Sequence, residues 1–355
     1  MAVNQRLQKL RHKLIEEELD SILISQPENF RYLSGFDGST GTLLISQDNA
    51  ILATDFRYLE QAKLQAPDFE VIRIRGEARE RALLELASDI GSKILGFEAN
   101  NLCFAEYHRL SEEVKKLKLQ LIPTERFVES LRIVKEEEEI ACLMKAVEIA
   151  EAALEYIAGE IHPGIKEKEV AWKIERFLRE KGSESMPFDI IVASGPNAAL
   201  PHAKPTERVL SHSEPVVIDL GARVAGYTSD LTRTLCLNSP DVTFNEIYGL
   251  VLNAQLAAID YLEAGMSGEQ VDGFARKIIE QGGYKDAFGH GLGHGVGLAT
   301  HEMPRLGPNS KDALLENMVF TVEPGIYLNG WGGVRIEDVV MVEGGRAKML
   351  SNIRK

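Results

Sequence analysis

The chain has 355 residues, of which 44% are hydrophobic and 26% charged, a composition typical of globular proteins large enough for two domains. The formal net charge of −14 repels phosphate backbones and argues against nucleic-acid binding as the main activity. No apolar run reaches the roughly 18 residues of a membrane helix, and the charged N-terminus lacks the apolar core of a signal peptide. We therefore expect a soluble, cytoplasmic protein without nucleic-acid or membrane partners. Because Cys103, Cys142 and Cys236 form no CxxC pair, we expect reduced and mostly buried thiols.

The chain up to about residue 128 alternates segments of strand and helix character. Short apolar runs predict strands at Ser21–Gln26, Gly41–Ser46, Ala50–Asp55, Phe69–Ile74 and Lys93–Glu98. Helical composition is found at 56–66, 78–90 and 104–117. This alternation predicts an α/β domain.

Beyond Pro123 the pattern becomes helical. One apolar face begins after the acidic run Glu136–Glu139, which we interpret as a solvated helix start, and its members are Ile140, Leu143, Met144, Val147, Leu154 and Ile157. A second helix follows the break at Pro163-Gly164, with Val170, Ile174, Phe177 and Leu178 in register. From about residue 187 the chain is rich in strand patterns and glycine, and all candidate chemistry lies there.

The segment Glu214–Leu237 predicts two strands that carry acidic residues in apolar surroundings. A turn centred on Val224 and Ala225 would place Asp219 opposite Asp230, with Cβ atoms roughly 5 Å apart. Two like charges that face each other destabilise a strand pair. The pattern therefore predicts a cation between the two carboxylates.

The segment Met318–Val342 repeats this arrangement. A turn centred on Gly330 would place Glu323 opposite Glu337, which hints at an internal repeat whose halves bring four carboxylates together. Such a cluster is too costly to bury without cations. Asp338 is left out of the cluster, because side chains alternate along a strand and Asp338 points to the other face.

The segment Gly289–Glu302, GHGLGHGVGLATHE, holds three of the eight histidines. Carboxylate oxygens with one imidazole suit divalent ions such as Mn²⁺, Co²⁺, Fe²⁺ or Zn²⁺, and a pair of these ions supports hydrolysis. A helical HExxH zinc site is excluded, because Arg305 stands where the second histidine is needed. The alternating glycines predict a backbone that passes close to metals and substrate.

Several ordered motifs resemble one metallopeptidase family: NFRYLSGF, TDFRY, VVIDLGA, TSDLTRT, GHGVGL, TVEPGIY and VRIEDVV. The family includes Xaa-Pro aminopeptidase, Xaa-Pro dipeptidase (prolidase) and methionine aminopeptidase, and the resemblance is to its proline-specific branch. It covers nearly the whole chain and implies an α+β architecture. A creatinase-type α/β domain, residues 1–128, would precede a pita-bread catalytic domain, residues 129–355.

The resemblance implies five metal ligands, and residues of the expected types stand at all five positions: Asp219, Asp230, His294, Glu323 and Glu337. Asp230 and Glu337 would bridge two divalent ions, for which we expect Mn²⁺ first, with Co²⁺, Zn²⁺ or Fe²⁺ as alternatives. Glu323 would also accept a proton during hydrolysis.

The resemblance also implies roles for residues near the substrate. His202 and His301 match histidines that contact the scissile peptide and stabilise its tetrahedral intermediate, and His290 matches a further active-site histidine. Arg335 matches an arginine that steadies the carboxylates, and Arg305 resembles a prolidase position near the substrate's carboxylate.

The expected activity is removal of the N-terminal residue from peptides whose second residue is proline, by a homodimer. The alternative is a dipeptidase that cuts only free Xaa-Pro dipeptides. A remote alternative is a metal-free peptide- or protein-binding module on the same fold, which usually lacks ligands that this chain has kept.

Overall fold

The computed structural model describes residues 3–75 and 79–355. Its internal contacts separate two compact units, residues 1–132 and 133–355. The domain boundary between residues 128 and 129 stays a prediction. No helix in the described part of the chain is both long and apolar enough to span a bilayer.

The first unit is built on a six-stranded mixed sheet with the order β4-β3-β2-β1-β5-β6. Its strands are β1 Ser21–Ile24, β2 Thr42–Ser46, β3 Ala50–Thr54, β4 Glu70–Arg73, β5 Ile94–Glu98 and β6 Gln120–Thr124. Its helices are α1 Val3–Glu16, α2 Pro27–Ser34, α3 Leu59–Gln65, α4 Arg79–Asp89, α5 Phe104–Leu117 and α6 Glu129–Arg132. The five predicted strands and the α/β character are confirmed, and residue 78 of the predicted helix 78–90 lies outside the described residues. The edge strand β6 was missed because it is only partly buried and contains Pro123.

The motif NFRYLSGF forms α2 and supplies a buried polar contact of the first unit. The Asn29 amide donates to Glu98 at 2.6 Å, and Arg132 donates to the Asn29 side-chain oxygen at 2.7 Å. Burial raises the pKa of Glu98 above its usual value. In this unit the motif therefore has an internal structural role.

The second unit contains four longer helices among its described residues: α7 Glu137–Glu160, α8 Glu167–Glu180, α9 Val242–Tyr261 and α10 Gly268–Gln281. Its strands are β7 Ile191–Ser194, β8 Pro215–Leu220, β9 Arg223–Val224, β10 Tyr227–Thr228, β11 Leu231–Cys236, β12 Gly293–Gly295, β13 Glu302–Leu306, β14 Val319–Val322, β15 Gly325–Leu328, β16 Gly332–Arg335, β17 Asp338–Glu343 and β18 Arg346–Met349. They form sheets with the orders β11-β8-β7, β13-β12-β14-β17-β18, β9-β10 and β15-β16.

The main core of the second unit lies between α9, α10 and one face of the strands from β14 to β17. Phe320, Val322, Val334 and Ile336 are buried in it beside Val251 of α9. Because side chains alternate along a strand, the odd-numbered neighbours of these residues point to the opposite face. That face carries the acidic residues of the candidate site.

Two predictions about polarity were wrong in part. In the acidic run at the start of α7, Glu137 and Glu138 are exposed as predicted, but Glu136 and Glu139 are buried. These two form a capping box, and Glu139 accepts a hydrogen bond from Tyr227. Met144 of the predicted apolar face is exposed. The three cysteines are free as expected, but Cys103 is exposed and the other two are only half-buried.

Candidate metal centre

The first acidic hairpin has a different register from the predicted one. Asp219 on β8 lies opposite Thr232 on β11, whereas the prediction placed it opposite Asp230. The turn is formed by Ala225 and Gly226, whose φ angles are 49° and 85°. Such a turn requires positive φ at both central positions, which the β-branched side chain of a valine at residue 224 disfavours. The register shift is two residues, so both aspartates still point to the same face.

The second acidic hairpin has the predicted register. Val322 pairs with Asp338, and Gly325 pairs with Arg335. Both pairs belong to one register, and the same register places Glu323, which follows Val322, opposite Glu337, which precedes Asp338. The expected facing position of the two glutamates is therefore confirmed.

His294 joins the carboxylates through β12, which lies between β13 and β14. Its Nε2 atom lies 3.4 Å from Oε1 of Glu323 and 3.7 Å from Oδ2 of Asp230. Asp230, His294 and Glu337 each offer one ligand atom, and these atoms lie within 4.8 Å of one another. Three segments that are distant in sequence thus meet at one group able to hold a metal ion.

Asp219 is held by the guanidinium of Arg335. Arg335 Nη2 donates to Asp219 Oδ2 at 2.6 Å, Nε donates to Thr232 Oγ1 at 3.1 Å, and Nη1 donates to the Tyr327 hydroxyl at 2.9 Å. The other carboxylate oxygen, Asp219 Oδ1, is buried and has no hydrogen-bond partner in the described part of the chain. A buried acceptor without a partner is costly, so this oxygen is suited to a cation.

The electrostatics of the group also favour cations. Burial raises the pKa of Glu323 to about 8, against the opposing charge of Arg335. Burial and then the neighbouring carboxylates raise the pKa values of Asp230 and Glu337 well above their usual range. One guanidinium cannot balance four carboxylates, three of them buried and Glu323 half-buried, and the oxygen-rich set with one imidazole fits divalent metal ions.

The histidines expected to contact substrate lie around this group. The rings of His301 and His294 have centroids 4.1 Å apart, and His301 is exposed. Partial desolvation of the ring, and then the neighbouring His202, lower the pKa of His301. His202 is exposed, and the carbonyl of the preceding Pro201 accepts from Arg335 Nη1 at 3.2 Å.

His290 is linked to the carboxylates through Tyr327 and Arg335, and Arg305 is related to the group by its strand register. His290 Nε2 lies 3.0 Å from the Tyr327 hydroxyl, and burial lowers the pKa of His290 to about 4. Arg305 lies opposite His294 in the register of β13 and β12, with an exposed side chain.

Sequence reasoning missed two residues that bond to this group. Tyr327 links His290 to Arg335, and Thr232 Oγ1 donates to Glu337 Oε2 at 2.7 Å. Their positions contain a usable signal: Tyr327 is four residues after Glu323 and Thr232 is two after Asp230. An even spacing along a strand places both side chains on the site's face.

The glycines around His294 allow close approach to neighbouring strands. A Cβ atom at Gly293 would collide with the Thr321 carbonyl of β14, and one at Gly295 with the Met303 carbonyl of β13. The glycines were expected to let the backbone approach metals and substrate. At Gly293 and Gly295 the backbone instead approaches the backbone of neighbouring strands.

Comparison with known proteins decides the family. Residues 141–344 match the model of metallopeptidase family M24, and residues 6–134 match the creatinase/prolidase N-terminal domain. The chain belongs to metallopeptidase family M24. The predicted creatinase-type domain, pita-bread fold and hydrolase class are confirmed, and the family implies divalent metal ions.

Relatives match this family member over nearly their full length. An Xaa-Pro dipeptidase of Pyrococcus furiosus is 36% identical over 99% of this chain and 99% of that protein. The structure of an Xaa-Pro dipeptidase from Bacillus anthracis has a TM-score of 0.95 at 39% identity, covering 100% of this chain and 99% of its own. The structure of an X-Pro aminopeptidase from Thermotoga maritima has a TM-score of 0.90 at 36% identity, covering 98% of each chain.

Proposed function

We propose that this M24 metallopeptidase is an Xaa-Pro dipeptidase, a prolidase that hydrolyses dipeptides with proline at the second position. The observation that carries the proposal is the group formed by Asp230, His294 and Glu337, whose ligand atoms lie within 4.8 Å of one another. The substrate preference is supported by relatives named Xaa-Pro dipeptidase that match 99% or more of this chain. The aminopeptidase preferred from sequence becomes the second candidate, favoured by the likeness to the X-Pro aminopeptidase structure.

The proposed ligands of two divalent ions, Mn²⁺ first, are Asp219, Asp230, His294, Glu323 and Glu337. When bound, the ions supply Lewis acidity and make water a better nucleophile at neutral pH. The unpartnered Asp219 Oδ1 and the excess of buried carboxylates support this set. Arg335 orients Asp219 through its 2.6 Å contact.

Glu323 is the proposed proton carrier. Its Oε1 atom faces His294 Nε2, and Thr321 Oγ1 donates to the same oxygen at 3.3 Å. A carboxylate in this position would take the proton of the attacking water and pass it to the leaving proline nitrogen. His202 and His301, both exposed beside the group, would donate N–H to the charge that develops on the scissile carbonyl oxygen.

Arg305 is proposed to bind the substrate's free carboxylate, which only a dipeptide presents directly after proline. Its side chain is exposed and its strand position lies opposite His294. Guanidinium and carboxylate form bidentate charge-assisted hydrogen bonds. This residue separates the dipeptidase from the aminopeptidase, because a longer peptide has no carboxylate at that point.

The test is hydrolysis by metal-reconstituted protein of Gly-Pro, Gly-Pro-Ala and Met-Ala-Ser, side by side. The dipeptidase hypothesis expects cleavage of Gly-Pro alone. Faster cleavage of Gly-Pro-Ala would establish the aminopeptidase, and Met-Ala-Ser cleavage would remove the proline requirement. Arg305→Ala should raise KM for Gly-Pro by about 10-fold, the loss of one charged contact of about 1.4 kcal/mol, whereas the exposed Arg346→Ala should not. Light scattering would test the proposed homodimer.

A further inference from the structure

Glu167, the first residue of α8, is a buried carboxylate outside the proposed metal group. The residue is 0% exposed, and its two oxygens accept hydrogen bonds from three residues of one loop. The donors are Ser194 N and Oγ at 2.8 Å each, Asn197 Nδ2 at 3.1 Å, Thr206 N at 2.9 Å and Thr206 Oγ1 at 2.6 Å. No Lys or Arg of the described chain forms an ion pair with it, although Arg208 interacts with it electrostatically and donates to Ser194 Oγ at 2.6 Å.

The three bonded residues lie at both ends of the segment 194–206, which we name the His202 loop. Ser194 and Asn197 precede His202, and Thr206 follows it. One buried carboxylate therefore holds the two ends of the loop together. Because an ionised carboxylate only accepts hydrogen bonds, it fixes which groups of the loop must point toward it.

The middle of the His202 loop is held against the metal group by other contacts. The Pro201 carbonyl accepts from Arg335, which also holds Asp219. A Cβ atom at Gly333 of β16 would collide with the Ala198 carbonyl, so the loop lies directly on this strand. With its ends fixed at Glu167 and its middle on β16, the loop has little freedom to move His202.

We propose that Glu167 is a positioning residue that sets the place of His202 beside the metal group. The proposal rests on the proposed function, in which His202 contacts the scissile peptide. A displacement of about 1 Å in such a contact is enough to cost roughly 100-fold in rate. Glu167 contributes to hydrolysis through the loop, without touching substrate itself.

Glu167→Gln is the sharpest variant. Glutamine keeps the size of the side chain but places an NH₂ group against donors of Ser194 or Thr206, so one end of the loop loses its hydrogen bonds to this side chain. We expect kcat/KM for Gly-Pro to fall about 10- to 100-fold, mainly in kcat, with unchanged metal content. Thr206→Val removes a single hydrogen-bond donor to Glu167, so its kcat/KM should fall less. This variant replaces Glu167→Gln in the test if Glu167→Gln does not fold.

The matched control is Glu98→Gln. Glu98 is also a buried carboxylate that accepts from backbone N–H groups and an asparagine amide, but it lies in the first unit. We expect its kcat/KM to stay within about twofold of the wild type, even if it unfolds at lower urea. An equal loss of activity in both variants would mean that Glu167 has only a general structural role.

A double-mutant cycle with His202→Ala tests whether the effect passes through His202. In the His202→Ala background, Glu167→Gln should change kcat less than about threefold, because the group it positions is gone. The same fold loss in both backgrounds would overturn the proposal.

Hydrogen exchange tests the positioning independently of activity. Peptides from 194–206 should exchange faster in Glu167→Gln, while peptides from β14 and β17 stay unchanged. Unchanged exchange in the loop would overturn the proposal even in an active enzyme. If the wild type cleaves no Xaa-Pro substrate but the loop exchanges faster, the proposed function fails and the hold of Glu167 on the loop stands.

Discussion

Two buried arginine–carboxylate pairs lie on opposite faces of the strands around Glu337, and they differ in how far their charges are balanced. Arg335 and Asp219 belong to the site cluster, which also contains Asp230, Glu323 and Glu337. Arg233 and Asp338 belong to the Asp338 cluster, together with Gln255, Ser351 and Lys355. The ion-pair distances are nearly equal, 2.6 Å and 2.7 Å.

The Asp338 carboxylate is fully bonded, although Gln255 Oε1 of the same cluster has no hydrogen-bond partner among the described residues. Asp338 Oδ1 accepts from Arg233 and Ser351, and Oδ2 lies within 2.9 Å of donors on Gln255 and Lys355. The site cluster instead has one arginine for four carboxylates, and Asp219 Oδ1 lacks a partner among the described residues. The clusters therefore differ in charge: Asp338 has two cationic partners, whereas the four site carboxylates share one, and this excess of negative charge suits divalent ions.

The largest expected effect is that of Glu337→Gln, which should lose most of its activity but none of its stability. Removal of this proposed ligand should lower kcat/KM by about 10³-fold, or about 4 kcal/mol in the activation barrier, and should reduce the bound metal by at least one equivalent. The metal-free variant should be no less stable than the wild type, because one of the repelling carboxylates is gone. Elemental analysis and urea unfolding measure both; full metal occupancy would remove Glu337 from the ligand set.

Asp338→Asn should have the opposite profile. The variant leaves the buried Arg233 and the half-buried Lys355 without their counter-ion, so the free energy of unfolding should fall by about 3 kcal/mol. Its metal content should be unchanged. The control is Glu343→Gln, also on β17, which breaks an exposed ion pair with Lys348 of β18 and should lower the free energy of unfolding by less than about 1 kcal/mol. Equal losses in the two variants would mean that the Asp338 cluster is not needed for stability.

Side-chain alternation explains why the sequence identified the faces of both clusters. The position of Asp338 on the face opposite Glu337 follows from a period of two residues and is confirmed by its contacts with Arg233 and Gln255. The register of the first hairpin was wrong because it depends on the turn, where Ala225 and Gly226 have positive φ. A shift of two residues leaves the faces unchanged, so the candidate carboxylates could be placed on one face despite the wrong pairing.

Contacts between segments that are distant in sequence could not be predicted from local sequence patterns. Nothing in the sequence near Asp338 indicates that Arg233 and Lys355 bond to it. Likewise, the burial of Glu139 depends on Tyr227, which lies 88 residues away. Such pairings are decided by tertiary packing, whereas strand faces and helix faces follow from local periodicity.

Addition of metal should separate the two clusters further. Mn²⁺ at 100 times its dissociation constant should raise the free energy of unfolding by about 2.7 kcal/mol. Asp338→Asn should gain the same increment from its lower starting point, because its cluster does not hold the ion. Glu337→Gln should gain little. Loss of the increment in Asp338→Asn, measured by urea unfolding with and without metal, would show that the two clusters cannot be treated as separate.

The smallest effect concerns His290, which is connected to the site cluster through Tyr327 and Arg335. Its folded pKa of about 4 lies below the unfolded value of 6.5, so the folded state favours the neutral ring. The stability that this preference contributes is complete above pH 6.5 and is lost as the pH falls toward 4, because only the unfolded chain then gains the proton. For this half-buried ring we expect about 1 to 2 kcal/mol. In metal-free protein, His290→Gln should therefore lose less stability than the wild type between pH 7.5 and pH 5, and equal losses would mean that His290 titrates alike in both states.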